Sequence, residues 1–256
     1  MINLKLLTKK ILGFFGFQII KNSTYIKLIK LDKYNIFQFF KEINANWDKF
    51  LKYLPHSKSQ NGQDLLALDY LNYKKEGYFV EVGAANGVYM SNTYLMEKKF
   101  NWNGILAEPA KIYQQELRDN RSVNIEASCV WKKSGDRLLF NETTSGITST
   151  IDSFNDSDFN KRIVKTKYEV KTISLSNLLK KYNAPKNIDY LSIDTEGSEF
   201  EILKNFNFNT YNISIIMCEH NFNKKKRNDI YKLLTKNKFV RKYEEFSQYD
   251  DWYFKY

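Results

Sequence analysis

From Gly77 onward the chain alternates short apolar runs with stretches of helical spacing, and this alternation restricts the fold more than any other feature. The runs are "YFVEVGA", "NGILAEP", "VNIEASCV", "DYLSIDTE" and "ISIIMCEHN", each ending in a polar or glycine-bearing turn. Between most of them lie "SNTYLMEKKF", "AKIYQQELRDN", "SEFEILKNF" and "KKRNDIYKLLTKN", whose apolar residues recur three and four apart. Strands that alternate with helices pack as a mostly parallel sheet covered on both faces. Residues 135–173 break the rhythm and are expected to form an excursion or lid. At the end, "FVRKYEEF" and "DDWYFKY" read as an antiparallel hairpin at the sheet edge.

Before this region the texture is helical from Asn3 to Tyr53. The loop "LPHSKSQNGQDLL" interrupts it, and a further helix is expected from Asp64 toward Tyr73. The predicted organisation is a helical N-terminal extension over residues 1–58 and one α/β domain over 59–256. A chain of 256 residues with 43% hydrophobic content and three prolines has ample material for such a core.

The formal net charge of +11 admits an anionic partner, whether nucleic acid, a phosphorylated carrier or a membrane surface. The basic residues do not gather into one arm, however, and an AT-rich coding bias toward Lys, Asn, Ile and Tyr accounts for them as well. Two cysteines, Cys129 and Cys218, lie inside apolar runs without CxxC spacing. They read as buried thiols of a reducing cytosol, and their number excludes a cysteine-rich zinc site. The N-terminal "MINLKLLTKKILGFFGFQIIKNS" has an apolar segment too short to span a bilayer and lacks a small-residue cleavage site. Two readings of residues 1–30 stay open: an amphipathic helix lying on a membrane surface, or one packed on the domain.

The turn in "YFVEVGAANGVYM" places Gly83 and Gly87 directly between a strand and a helix, where doubly wound sheets hold nucleotide cofactors. A dinucleotide fingerprint has a second glycine that lets the backbone approach a pyrophosphate, and Ala85 stands there. A cofactor without phosphates suits this turn better, and S-adenosylmethionine is the common one. Its ribose needs a carboxylate. Glu108 ends the second strand roughly 20 residues past the turn, in the position such folds give to the ribose-binding acid.

"IDYLSIDTEGSEFEIL" collects four acids in a basic protein. Ligands in an open α/β sheet sit beyond the carboxyl ends of the strands, so Asp194, Glu196, Glu219 and His220 are expected to converge on one pocket. Transfer of a group to a hydroxyl requires removal of its proton. The candidate base is His220, with Asp194 or Glu219 as a carboxylate rival, or as a holder, with Glu196, of a divalent cation that lowers the hydroxyl pKa. Glu199 and Glu201 are expected to serve the first turn of a helix capped by Ser198.

The pieces "SQNGQDL", "GYFVEVGAANGVYMSNTYLME", "WNGILAEP", "KTISLSNLL", "DYLSIDTEGSEFEIL", "IIMCEHN" and "YDDWYFKY" occur in the order found in FkbM-type methyltransferases, which this sequence resembles from Ser59 to its end. "IDTEGSE" is the most specific of them. The resemblance implies a Rossmann-like class I methyltransferase: a seven-stranded, doubly wound, mostly parallel sheet with an antiparallel last strand. It also implies S-adenosylmethionine-dependent O-methylation, often of saccharides or glycoconjugates. Carried onto this chain, Glu81, Gly83, Ala84, Asn86 and Gly87 would line the methionine and ribose end, Glu108 would hold the ribose, and Ser128 would lie near the adenine. Glu81 stands where many members have Asp, and Ala85 where the turn often carries Asn. The competing readings are an RNA ribose methyltransferase, for which no basic arm with stacking aromatics is present, and a membrane-associated module that keeps the fold without catalysis.

Overall fold

The computed structural model describes residues 34–43, 45–158 and 161–255. The N-terminal segment proposed to touch a membrane lies outside them. Among the described residues no helix is long and apolar enough to cross a bilayer. The chain divides into two units, Met1–Trp47 and Asp48–Tyr256. In the first, helix α1 (Tyr34–Glu42) sets the Phe37 ring edge-on against Trp47 at 5.0 Å.

The division falls earlier than the boundary at residue 58 expected from the loop. The reason lies in the aromatic residues that follow Trp47. Helix α2 (Trp47–Tyr53) carries Tyr53, whose ring packs 4.7 Å from Phe100 and 5.8 Å from Tyr73, both in the second unit. Helix α3 (Gln63–Tyr70) follows and ends where Asn72 and Tyr73 adopt left-handed backbone angles.

The second unit continues with β1 (Tyr78–Val82), α4 (Tyr94–Phe100), β2 (Asn103–Ala107), α5 (Gln114–Asn120), β3 (Asn124–Glu126), β4 (Cys129–Trp131), β5 (Arg137–Thr143), β6 (Thr150–Ile151) and β7 (Val164–Ser174). Then come α6 (Leu175–Lys181), β8 (Asn187–Ile193), α7 (Glu199–Lys204), β9 (Asn212–Glu219), α8 (Lys224–Lys236), β10 (Phe239–Lys242) and β11 (Asp250–Lys255). Seven strands form the main sheet in the order β10-β11-β9-β8-β1-β2-β3. All run parallel except β11, which inserts antiparallel between β9 and β10. The C-terminal hairpin is therefore at the sheet edge, as its two short runs predict.

Burial of β1, β8 and β9 on both faces explains their near-continuous apolar sequences. Strand β1 pairs with β2 on one side and β8 on the other, so chain order reverses beside it. A crevice opens at the carboxyl ends on either side of such a reversal.

The excursion forms most of a second sheet, β4-β7-β5-β6. "VNIEASCV", expected as one strand, is two strands in different sheets. Ser128 N–H donates to Glu126 Oε1 at 2.8 Å, turning the chain between β3 and β4. A cluster around Ala110, Trp131, Phe140, Ile151 and Val170 fills the space under the second sheet.

Candidate active site

The ends of three parallel strands are fastened together around the glycine turn. Gly83 and Ala84 N–H groups donate to Ala107 O at 2.9 and 3.3 Å, and Asp194 N–H donates to Val82 O at 2.9 Å. Gly83 has φ +86°, and a Cβ there would lie 1.7 Å from Asp194 O. Only glycine permits β1 and β8 to meet this closely.

Glu108, just past β2, is buried, and each of its oxygens accepts one backbone N–H at 2.8 Å: Oε2 from Ala85 and Oε1 from Ala110. Burial pushes its carboxyl up to about 7 against those two donors, and Glu142 adds to the rise. Glu81 is also buried and accepts from Asn92 N–H at 2.7 Å, Ser91 Oγ at 3.0 Å and Thr93 Oγ1. Behind it the buried Arg121 guanidinium donates to Gly87 O, Ser91 Oγ and Thr93 Oγ1. The segment after the turn is thus clamped from the side away from the crevice.

Asp194, Glu196 and Glu219 converge at the ends of β8 and β9, with one carboxylate oxygen of each within 4.8 Å of the others. Asp194 is accessible from the cavity, and its carboxyl is pushed well above the usual range. Desolvation is the first cause, followed by the charges of Glu196, Asp250 and Glu199. Glu219 is raised in the same way, by burial and then by Asp194. Like charges this close oppose each other's ionisation, so each carboxyl raises the other. Glu196, at φ +59°, accepts from Arg162 at 2.8 Å and Asn221 at 3.2 Å through Oε2. Burial raises it to about 6 against the Arg162 charge. Asp250 accepts from Gln63 Nε2 at 2.8 Å, and burial raises it to about 6.

These groups face a cavity of about 310 Å³, within the range of small-ligand sites. Its wall contains six carboxylates, from Glu81, Glu108, Asp194, Glu196, Glu219 and Asp250, and no Lys, Arg or His among the described residues. In a protein of formal charge +11 this is a strongly acidic interior. Tyr89, Met90 and Ile147, all exposed, line the same cavity.

The model of the methyltransferase FkbM domain matches residues 81–252. The chain belongs to this family. No curated protein matches it by sequence. Among solved structures, precorrin-6y C5,15-methyltransferase from Geobacter metallireducens GS-15 is similar over 75% of this chain and 87% of that one. The identity is 12% and the TM-score 0.41, a likeness too distant to carry an argument.

In this methyltransferase the cavity brings together Glu81, Gly83, Ala84, Glu108, Asp194, Glu196 and Glu219. It does not include Asn86, Gly87, Ser128 or His220. Asn86 spends its carbonyl oxygen on Val88 and Tyr89 N–H, so it shapes the turn. A Cβ on Gly87 would meet Arg121 and Leu117, so this glycine serves packing. Ser128 is turned to a separate surface cleft by the bend between β3 and β4. His220 is buried with both ring nitrogens engaged: Nδ1 accepts Phe222 N–H at 3.0 Å, and Nε2 faces Asp250 O at 3.1 Å. The expectation of a histidine base is corrected on this geometry.

Ser198 makes no side-chain cap either. Its hydroxyl donates to Thr195 Oγ1, and the fully buried Glu199 gathers Thr195 N–H, Gly197 N–H and the Lys226 ammonium instead. Burial works to raise Glu199, yet Lys226 and the backbone donors hold it below the usual range. Gln60, Gln63, Tyr249 and Asp250 were absent from the sequence-derived site. The motifs "SQNGQDL" and "YDDWYFKY" carry them, and only folding joins Gln63 to Asp250.

Proposed function

We propose that this FkbM-family methyltransferase uses S-adenosylmethionine to methylate a hydroxyl of a saccharide or glycoconjugate. The observation that carries the reading is Glu108, a buried carboxylate held by two backbone N–H groups beside the glycine turn and lining the cavity. A ribose diol is the ligand such a group fits. The acidic wall suits a ligand bearing ammonium and sulfonium charges, and Pro109, Cys129 and Val130 offer an apolar flank for a purine. When bound, the cofactor supplies an activated methyl group.

The acceptor follows from the same electrostatics. Six carboxylates repel a phosphodiester backbone, so a neutral polyol is favoured over RNA. The exposed Tyr89, Met90 and Ile147 give the apolar face of a sugar ring a surface to lie on. Asp194 and Glu219 stand at the acceptor hydroxyl, and their raised pKa makes them stronger bases than ordinary carboxylates once ionised.

Calorimetry on the full chain tests the cofactor. The expected result is saturable S-adenosylmethionine binding that weakens at least about tenfold, or 1.4 kcal/mol, in Glu108→Ala with the circular dichroism unchanged. Folded protein that binds no cofactor sinks the reading. Labelled methyl appearing in RNA in preference to glycans reverses the acceptor assignment, and binding without turnover on any acceptor favours a non-catalytic module.

A further inference from the structure

We propose that Asp194, Glu196 and Glu219 form a site for one divalent, oxygen-preferring cation at the floor of the cavity. The first observation is spacing. One oxygen from each carboxylate lies within 4.8 Å of the others. Two ligands on opposite sides of a calcium ion are roughly 4.6–5.2 Å apart, and those of magnesium about 4.0–4.2 Å. Separations of up to 4.8 Å are compatible with a calcium-sized ion, and with a magnesium- or manganese-sized one after closing by less than about 1 Å.

The second observation is independent of the spacing and points at a missing positive partner. Glu219 is 5% exposed and lines the cavity, and its Oε2 has no hydrogen-bond donor. Leaving a buried carboxylate oxygen without a partner is costly, and native proteins rarely do so. The neighbouring acids differ. Glu81 has two hydroxyls and a backbone N–H, Glu108 has two backbone N–H groups, Asp250 has Gln63, and Glu196 has Arg162 and Asn221. A cation is the partner that fits an acceptor-only group facing other acceptor-only groups.

The donor set also fixes the kind of ion. All three ligands are carboxylates, while the Cys218 thiol contacts its own backbone region and the His220 ring is occupied. Oxygen-only sites take magnesium, calcium or manganese in preference to zinc or copper. Asp194 and Glu219 sit at the ends of paired strands, so the site is preformed. Because Arg162 and Asn221 hold Glu196 Oε2, Glu196 is the weakest ligand of the three. The side open to the cavity leaves positions for water and for an acceptor oxygen. The role in reaction rests on the function proposed above: a coordinated hydroxyl loses its proton more readily.

Binding is tested without either substrate. Full-length protein stripped with a chelator is titrated with manganese(II) and followed by electron paramagnetic resonance. The expected result is one ion per chain, displaced by calcium or magnesium. Affinity should fall at least tenfold in Glu219→Gln and in Asp194→Asn. Each substitution preserves shape and removes a charge, so the fold should persist; circular dichroism verifies this, and if one variant fails to fold the other decides. No saturable uptake by folded wild type, or equal uptake by a folded variant, overturns the proposal. S-adenosylmethionine titration of the same samples separates the two readings, because manganese binding without cofactor binding rejects the methyl-transfer reading and leaves the ion site standing.

Discussion

Nδ1 of His220 accepts Phe222 N–H, so the ring proton sits on Nε2 and is donated to the Asp250 carbonyl. Neither nitrogen keeps a lone pair for an acceptor's proton. Burial lowers the pKa to about 4 even though Asp251 opposes the fall, and the Arg227 and Lys226 charges lower it further. The ring is a neutral brace between the end of β9 and the start of β11. Replacing it by Gln should cost about 1–3 kcal/mol of stability through lost buried hydrogen bonds. The pH dependence of methyl transfer should keep its shape. Denaturant melts and a pH–rate profile of His220→Gln check this, and loss of a kinetic inflection in the variant would restore His220 as the base. A strand-end histidine beside an acid is equally compatible with either role in one dimension. Only the direction of the Phe222 N–H separates them, and that depends on left-handed backbone at Asn221 and Phe222.

At the scale of elements, the strands were legible because each ends an apolar run with a polar residue, and Asp194 and Glu219 followed from that rule. The bend inside "VNIEASCV" was not, because it depends on a side-chain-to-backbone bond from Glu126 rather than on glycine or proline. The partnership of Gln63 with Asp250 was equally hidden, spanning most of the second unit. The excursion was legible as an interruption, but its attachment was not. Arg162, its side chain fully buried, donates to Thr148 O and Asn155 O and pairs with Asp158 and Glu196. It therefore ties the loop carrying Ile147 and Thr148 to the acid cluster. Arg162→Ala removes a cation shared by those two carboxylates, a change that costs about 3–5 kcal/mol when a buried pair is broken. Arg162→Lys should restore little, since an ammonium cannot span the same acceptors. Hydrogen exchange at Thr148 and Ser149 should quicken at least tenfold in the Ala variant while the amides of β8 and β9 stay protected. Unchanged exchange around Thr148 would show that the loop is held by other contacts.

Across the whole molecule, a chain of net positive charge encloses an acidic cavity, and this has a consequence for stability. Glu108 rises from 4.5 to about 7, Glu196 from 4.5 to about 6 and Asp250 from 3.8 to about 6, each first through burial, and Glu81, Asp194 and Glu219 rise in the same direction. A carboxyl whose folded pKa lies above its unfolded value binds more protons folded than unfolded. Its contribution is complete below the unfolded pKa and is lost as pH climbs through the folded one. His220 acts oppositely, losing stability as pH falls from 6.5 to about 4, but it is one group against six. Below about 4.5 the depressed carboxyl of Glu199 also begins to work against the fold. The ligand-free protein should therefore melt highest near pH 5 and progressively lower toward pH 8, a window set by the raised carboxyls. Calorimetric scans at pH 5, 6.5 and 8 measure this, and a Tm that is flat or rises toward pH 8 contradicts it. Glu219→Gln should flatten the slope, because it removes one of the repelling charges. A bound cation should flatten it too, by supplying at pH 8 the positive charge that protons supply at pH 5, so the melting profile with and without manganese reads the acidic interior and its occupant together.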